Sequence, residues 1–145
     1  MKIVPGYPPN IDEIDAAFHV KGKPIIYAYG AVIYSACGAT VGPEKIVHES
    51  VHGVRQGSDV EGWWRRYIAD PAFRLAEEIP AHVAEYLAMR EAGPNRAGRR
   101  RALKIIASNL SAPLYGRLIS QDAAKRVILA GAEATKREAL STTAA

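Results

Sequence analysis

The stretch Gly42-Pro43-Glu44-Lys45-Ile46-Val47-His48-Glu49-Ser50-Val51-His52-Gly53-Val54-Arg55-Gln56-Gly57 decides how this chain is read. Pro43 suits the first turn of a helix, where its missing N–H has no partner to lose. Glu44 complements the positive end of the helix dipole. Gly57 is a natural stop, so the spacing predicts a helix from Pro43 to about Gln56. Val47, Val51 and Val54 recur at helical spacing and are expected to face the core. His48, His52 and Arg55 form a second stripe beside them.

His48 and His52 are four residues apart, a rotation of only about 40° on a helix, so both imidazoles leave from one side. Each can place a ring nitrogen about 2.0–2.1 Å from one zinc ion. Glu49 lies too far round the helix to be the natural third ligand. It can instead take a proton from water whose pKa a metal has lowered to about 7. The structural alternative is a hydrogen-bonded core histidine pair. Candidates for a third ligand lie on the next long helix: Glu78 first, then His82, with Glu77 and Glu85 behind. Glu78, His82 and Glu85 share one stripe. The alternative for any of these carboxylates is a solvated helix face.

Working outward, residues 1–24 are rich in proline and read as an irregular arm, with a short helix fitting Ile11–Phe18. Pro24 to Tyr34 is β-branched and aromatic with Gly30 as punctuation, which fits two short strands or one bent strand. Gly62–Asp70 reads as a short helix carrying Trp63 and Trp64, both taken as hydrophobic anchors. Pro71 opens a helix to about Glu91, with Pro80 predicting a kink just after Glu78. Gly93-Pro94-Asn95 breaks it. Helices over Arg99–Leu110, extendable to Tyr115 past Pro113, and from Ser120 to about Leu140 follow, and 141–145 should fray. The class is α+β: one domain over 1–145, with an arm (1–24), a β element plus metal-site helices (25–93) and C-terminal helices (94–140).

The 145 residues suit one core, and 48% apolar with 23% charged residues is ordinary for a globular chain. No apolar run is long enough to span a bilayer, and Met1 to Gly6 lacks a signal-peptide core, so no membrane partner is expected. The single cysteine, Cys37, excludes an internal disulfide and reads as a small apolar filler. The net charge is +4, concentrated near Arg96 to Lys104. A nucleic-acid contact is the alternative to a solvated loop and first helical turn. The second reading is favoured, because no aromatic residue interleaves to stack bases.

In order along the chain come His48-Glu49-x-x-His52, Arg55-Gln56, the Trp pair, Tyr67, Asp70-Pro71, Phe73-Arg74 and Glu78-x-x-Ala81-His82. Tyr29-Gly30-x-x-Ile33-Tyr34 precedes them, and Leu110-x-x-x-Leu114-Tyr115-Gly116 and Ala123-Ala124-Lys125 follow. Over roughly residues 5–130 this resembles small HExxH proteins of tailed bacteriophages and prophages, similar in plan to gluzincin peptidases. The resemblance implies a zincin-like domain with a short β-hairpin or edge strand before the HExxH helix. It implies Zn2+ on His48, His52 and Glu78, with Glu49 as base. The strand region Ile25–Tyr34 would edge a cleft and take an extended peptide.

His82, Tyr86, Glu85 and Arg55 are candidates for transition-state or supporting roles. The oxyanion donor is open among Tyr86, His82, Tyr67 and Tyr115. No acidic residue is placed behind a zinc-bound histidine. Arg55 and Arg74 read either as partners of Glu77, Glu78 or Glu85 or as surface charge. The expected partner is a peptide or protein substrate, in a virion or the bacterial cytoplasm. A structural phage protein docking other virion proteins is the competing reading, and a protease acting near DNA a weaker third.

Overall fold

The helix that carries the two histidines forms where the sequence puts it, but it turns its polar side inward. In the computed structural model, which describes residues 1–144, the elements run β1 (Lys2–Pro5), α1 (Ile11–Phe18), β2 (Ile26–Tyr29), β3 (Val32–Ser35), α2 (Pro43–Gln56), α3 (Val60–Ala69), α4 (Pro71–Ala92), α5 (Arg96–Leu110) and α6 (Gln121–Thr143). A single 3-10 turn, Pro113–Tyr115, lies between α5 and α6. The chain is α+β. No helix among the described residues is long and apolar enough to cross a membrane.

Helix starts follow local chemistry. Asp59 accepts from Gly62 N at 2.9 Å, Asp70 from Ala72 N and Phe73 N at 3.0 and 3.1 Å, and Ser120 from Ala123 N at 3.2 Å. Asn95 caps α5 through Gly98 N at 2.7 Å, so α5 begins three residues earlier than Arg99. It ends at Leu110, and Pro113 belongs to the separate 3-10 turn. α4 continues through Pro80 without restarting. The tail expected to fray is helical through Thr143; Ala145 lies outside the described residues.

Residues 1–24 are more ordered than a proline-rich arm suggests. β1 pairs in parallel with β3, Lys2 opposite Val32, and the sheet order is β1-β3-β2. β2 and β3 form an antiparallel hairpin, Tyr27 opposite Tyr34, turning at Gly30 with φ +58°. Cys37 is exposed in a left-handed turn, not an apolar filler, and its sulfur is 3.2 Å from the Tyr7 hydroxyl.

The valine stripe of α2 is the largest correction. Val54 is 81% exposed and Val47 36%, whereas His48, Glu49, His52 and Gln56 are buried. The face that meets them is equally polar: α2 packs chiefly on α4, whose Arg74, Glu77, Glu78, His82 and Glu85 are buried. Apolar burial lies on either side. One cluster joins Ile14, Val20 and Tyr27 to Trp63, Trp64 and Tyr67. The other joins Tyr86 to α5 and α6 through Ile106, Leu110 and Ile128. The two hydrophobic clusters thus hold a charged helix–helix interface between them.

The hairpin is fixed to α2 by Gln56, whose Oε1 accepts from Gly30 N at 2.7 Å and whose Nε2 donates to Ala28 O at 2.9 Å. Gly53 lets α2 come this close: a Cβ there would lie 2.6 Å from the Gly30 carbonyl oxygen. Gly53→Ala should therefore destabilise. Overpacking against backbone costs about 1–3 kcal/mol, against up to about 1 kcal/mol gained in helix propensity. A urea midpoint lower than wild type with an unchanged m-value is the expected result; a higher midpoint would show that the hairpin yields freely.

Candidate metal centre

α2 and α4 bring His48, His52 and Glu78 to one point. The two Nε2 atoms are 3.2 Å apart, His52 Nε2 is 3.4 Å from Glu78 Oε1, and His48 Nε2 is 3.6 Å from Glu78 Oε2. Three donors about 2.0–2.1 Å from one tetrahedral ion lie about 3.3–3.4 Å apart, and the separations between the three residues, one to each Glu78 oxygen, bracket that value. Glu78 Oε2 is also a buried atom without a hydrogen-bond partner among the described residues. Leaving a carboxylate oxygen so placed is costly unless a cation takes it up. The residues therefore fit a divalent ion.

Charges inside the cluster are set by burial and by each other. Burial pushes His48 down to about 4. Burial also pushes His52 down, but the Glu78 carboxylate beside it outweighs this and holds it above its ordinary value. Glu78, which burial alone would raise, is kept well below the carboxylate range by His52, His82 and His48. Tyr67 adds a hydroxyl donated to Glu78 Oε1.

The remaining carboxylates divide by role. Glu77 is taken by Arg55, at 2.7 and 2.8 Å, and by Trp63 Nε1 at 3.0 Å, so it is not available to a metal. The Trp63 ring in turn lies edge-on to His52 at 5.5 Å. Glu85 stands behind His48: its Oε2 is 2.9 Å from His48 Nδ1, and Lys45 Nζ is 2.5 Å from its Oε1. This is the acidic partner that the sequence did not place. It orients the ring so that Nε2 points at the cluster.

His48, His82 and Glu85 also lie within metal-ligating distance of one another, but an ion there would face the Lys45 ammonium. The set with Glu78 has no such opposing charge. Glu85→Gln should therefore lower zinc affinity about 10–100-fold without changing stoichiometry at saturating zinc, read by competition with a chromophoric chelator. Unchanged affinity would remove Glu85 from the centre.

Glu49 differs from the other three buried carboxylates. Among the described residues it makes no hydrogen bond or ion pair. It lines a cavity of about 240 Å³ together with His48, His52 and Glu78. Burial raises its carboxyl to about 7, with His52 opposing and Glu78 adding to the shift. The cavity walls are mostly apolar and aromatic: Phe18, Val20, Ile25, Trp63 and Tyr67 among them.

Two expected contributors lie elsewhere. Tyr86 is 3% exposed within the C-terminal core and does not line the cavity. Arg55 reaches the centre only through Glu77 and Trp63. Among the described residues Arg74 pairs with no carboxylate; it donates to backbone carbonyls, Nη1 to Tyr67 O at 2.7 Å and Nε to Tyr115 O at 3.1 Å. Trp63 and Trp64 are buried anchors, and Trp64 also donates to Ala28 O at 3.1 Å. With Gln56 on the same carbonyl, part of the β2 edge expected to receive a peptide is already paired.

Lys45 and Gln56 carry functions that the sequence reading missed. Lys45 sits one helical turn before His48, which is the signal that could have placed it. The chain matches no family model, no curated protein and no solved structure.

Proposed function

We propose that this chain is a zinc-dependent peptidase of gluzincin plan from a tailed phage or prophage, with His48, His52 and Glu78 holding the ion and Glu49 as general base. The observation that carries the reading is Glu49, among the described residues the one buried carboxylate without a hydrogen-bond or ion-pair partner, lining the cavity beside the three candidate ligands. Zinc in that position supplies Lewis acidity, acidifying water and polarising a carbonyl. The chain's residues do the rest. Glu85 and Lys45 hold His48 in one orientation and tautomer. Glu49 takes a proton from the attacking water as its oxygen bonds to the carbonyl carbon. It then gives that proton to the amine nitrogen as the carbon–nitrogen bond breaks.

The aromatic walls favour a large apolar side chain next to the cleaved bond. The test is cleavage of a mixed peptide library by zinc-loaded protein, with products flanked by such residues. No cleavage of peptides, proteins or cell-wall cross-links by zinc-loaded protein would refute the reading.

A second reading, an interaction protein of a phage particle, is favoured by the solvent-facing Val47 and Val54 on α2. It expects the protein in purified particles, retained there with Glu49→Gln; absence from particles counts against it.

A further inference from the structure

A peptidase needs a donor aimed at the oxygen that gains charge when the carbonyl is attacked; the following inference rests on the peptidase reading. Of the four side chains considered for it, one is committed and two do not line the cavity. The Tyr67 hydroxyl donates to Glu78. Tyr86 is enclosed in the C-terminal core. His82 places Nδ1 2.9 Å from the Glu78 carbonyl oxygen; its Nε2 is buried without a hydrogen-bond partner among the described residues, but the side chain does not line the cavity. Tyr115 remains. It lines the cavity with Glu49 and the ligating residues, its ring lies edge-on to His82 at 5.5 Å, and among the described residues its hydroxyl makes no hydrogen bond.

Its backbone is held by an unusual device. Arg74 is 6% exposed, yet among the described residues it has no carboxylate partner. Its guanidinium donates to Tyr115 O at 3.1 Å, to Tyr67 O at 2.7 Å and to Ile68 O at 3.1 Å, and packs over the Phe18 ring at 5.0 Å. Burying a cation on neutral carbonyls is costly, and an apolar side chain would fill the space more cheaply. What Arg74 gains is a tie between the end of α3, the start of α4 and the 3-10 turn that carries Tyr115. We infer that Tyr115 donates a hydrogen bond to the scissile carbonyl oxygen of the substrate, and that Arg74 is the positioning residue that keeps it there.

Tyr115→Phe removes only the hydroxyl. The probe is N-phosphoryl-leucinamide, a tetrahedral phosphoryl mimic of the attacked carbonyl, titrated calorimetrically into zinc-loaded protein. Tyr115→Phe should bind it about tenfold or more weakly, with zinc content and Tm unchanged, and should lower kcat rather than raise KM. Arg74→Lys should also weaken binding, but not further in a Tyr115→Phe background, because the two act as one unit. Equal affinity of wild type and Tyr115→Phe overturns this inference alone. An equal effect of Arg74→Lys in both backgrounds overturns the positioning role. Zinc-loaded wild type that binds the probe no better than zinc-free protein overturns both this inference and the peptidase reading.

Discussion

Glu49→Gln should lower kcat/KM by about 10²–10⁴-fold, the usual contribution of a positioned general base, while zinc content stays at the wild-type value. The amide fills the same space and keeps the cavity wall, but it cannot accept a proton. Glu49 makes no hydrogen bond or ion pair among the described residues, so the substitution breaks no internal pairing. The acid limb of the pH profile should disappear with it. Burial holds the Glu49 carboxyl at about 7, and a neighbouring dication favours the carboxylate and moves it lower. With the carboxylate as the active form of the proposed base, wild-type kcat/KM should rise as pH rises through that lowered value, and the residual rate of the variant should not follow the same curve. Loss of zinc along with loss of rate would mean that Glu49 is part of the binding set instead.

Removing the metal should cost stability, and Glu78→Gln should abolish the metal's effect. Zinc at about a hundred times its Kd stabilises the folded state by about 2.7 kcal/mol, which for a chain of this size corresponds to roughly 10 °C in Tm. The increment should grow with pH, and the sign follows from His52. Its folded-state pKa is raised by Glu78, so the proton it holds stabilises the metal-free protein below the unfolded imidazole value. That contribution is lost as pH rises through the folded value. Zinc competes for the same ring nitrogen, so chelation should lower Tm more at pH 8 than at pH 6. In Glu78→Gln, neither zinc nor chelator should move Tm. A Tm unaffected by zinc in the wild type would mean that the cluster is held by its hydrogen bonds alone.

Element boundaries were legible because they are written in local chemistry: Pro43 and Gly57 bracket α2, Asp70-Pro71 opens α4, and Ser120 caps α6. The three ligating candidates were legible for the same reason, since His48 and His52 share a helix face and Glu78 stands first on the stripe of the returning helix. The orientation of α2 was not. Valine periodicity points inward only if the core is apolar, and here the interface that α2 shares with α4 is polar because it is built around a charged cluster. What remained hidden depends on distant pairings. β1 forms only because β3 lies about thirty residues downstream to pair with it. Glu85 reaches His48 across 37 residues, and Arg74 reaches the Tyr115 carbonyl across 41. No local spacing rule encodes such contacts; they arise once two helices have packed.

The most direct test of the account is the zinc content of the purified wild-type chain, measured by elemental analysis beside His48→Ala. The account predicts about one zinc per wild-type chain and almost none in the variant. A wild-type chain that retains no divalent metal after zinc supplementation, and is indistinguishable from His48→Ala, would contradict it.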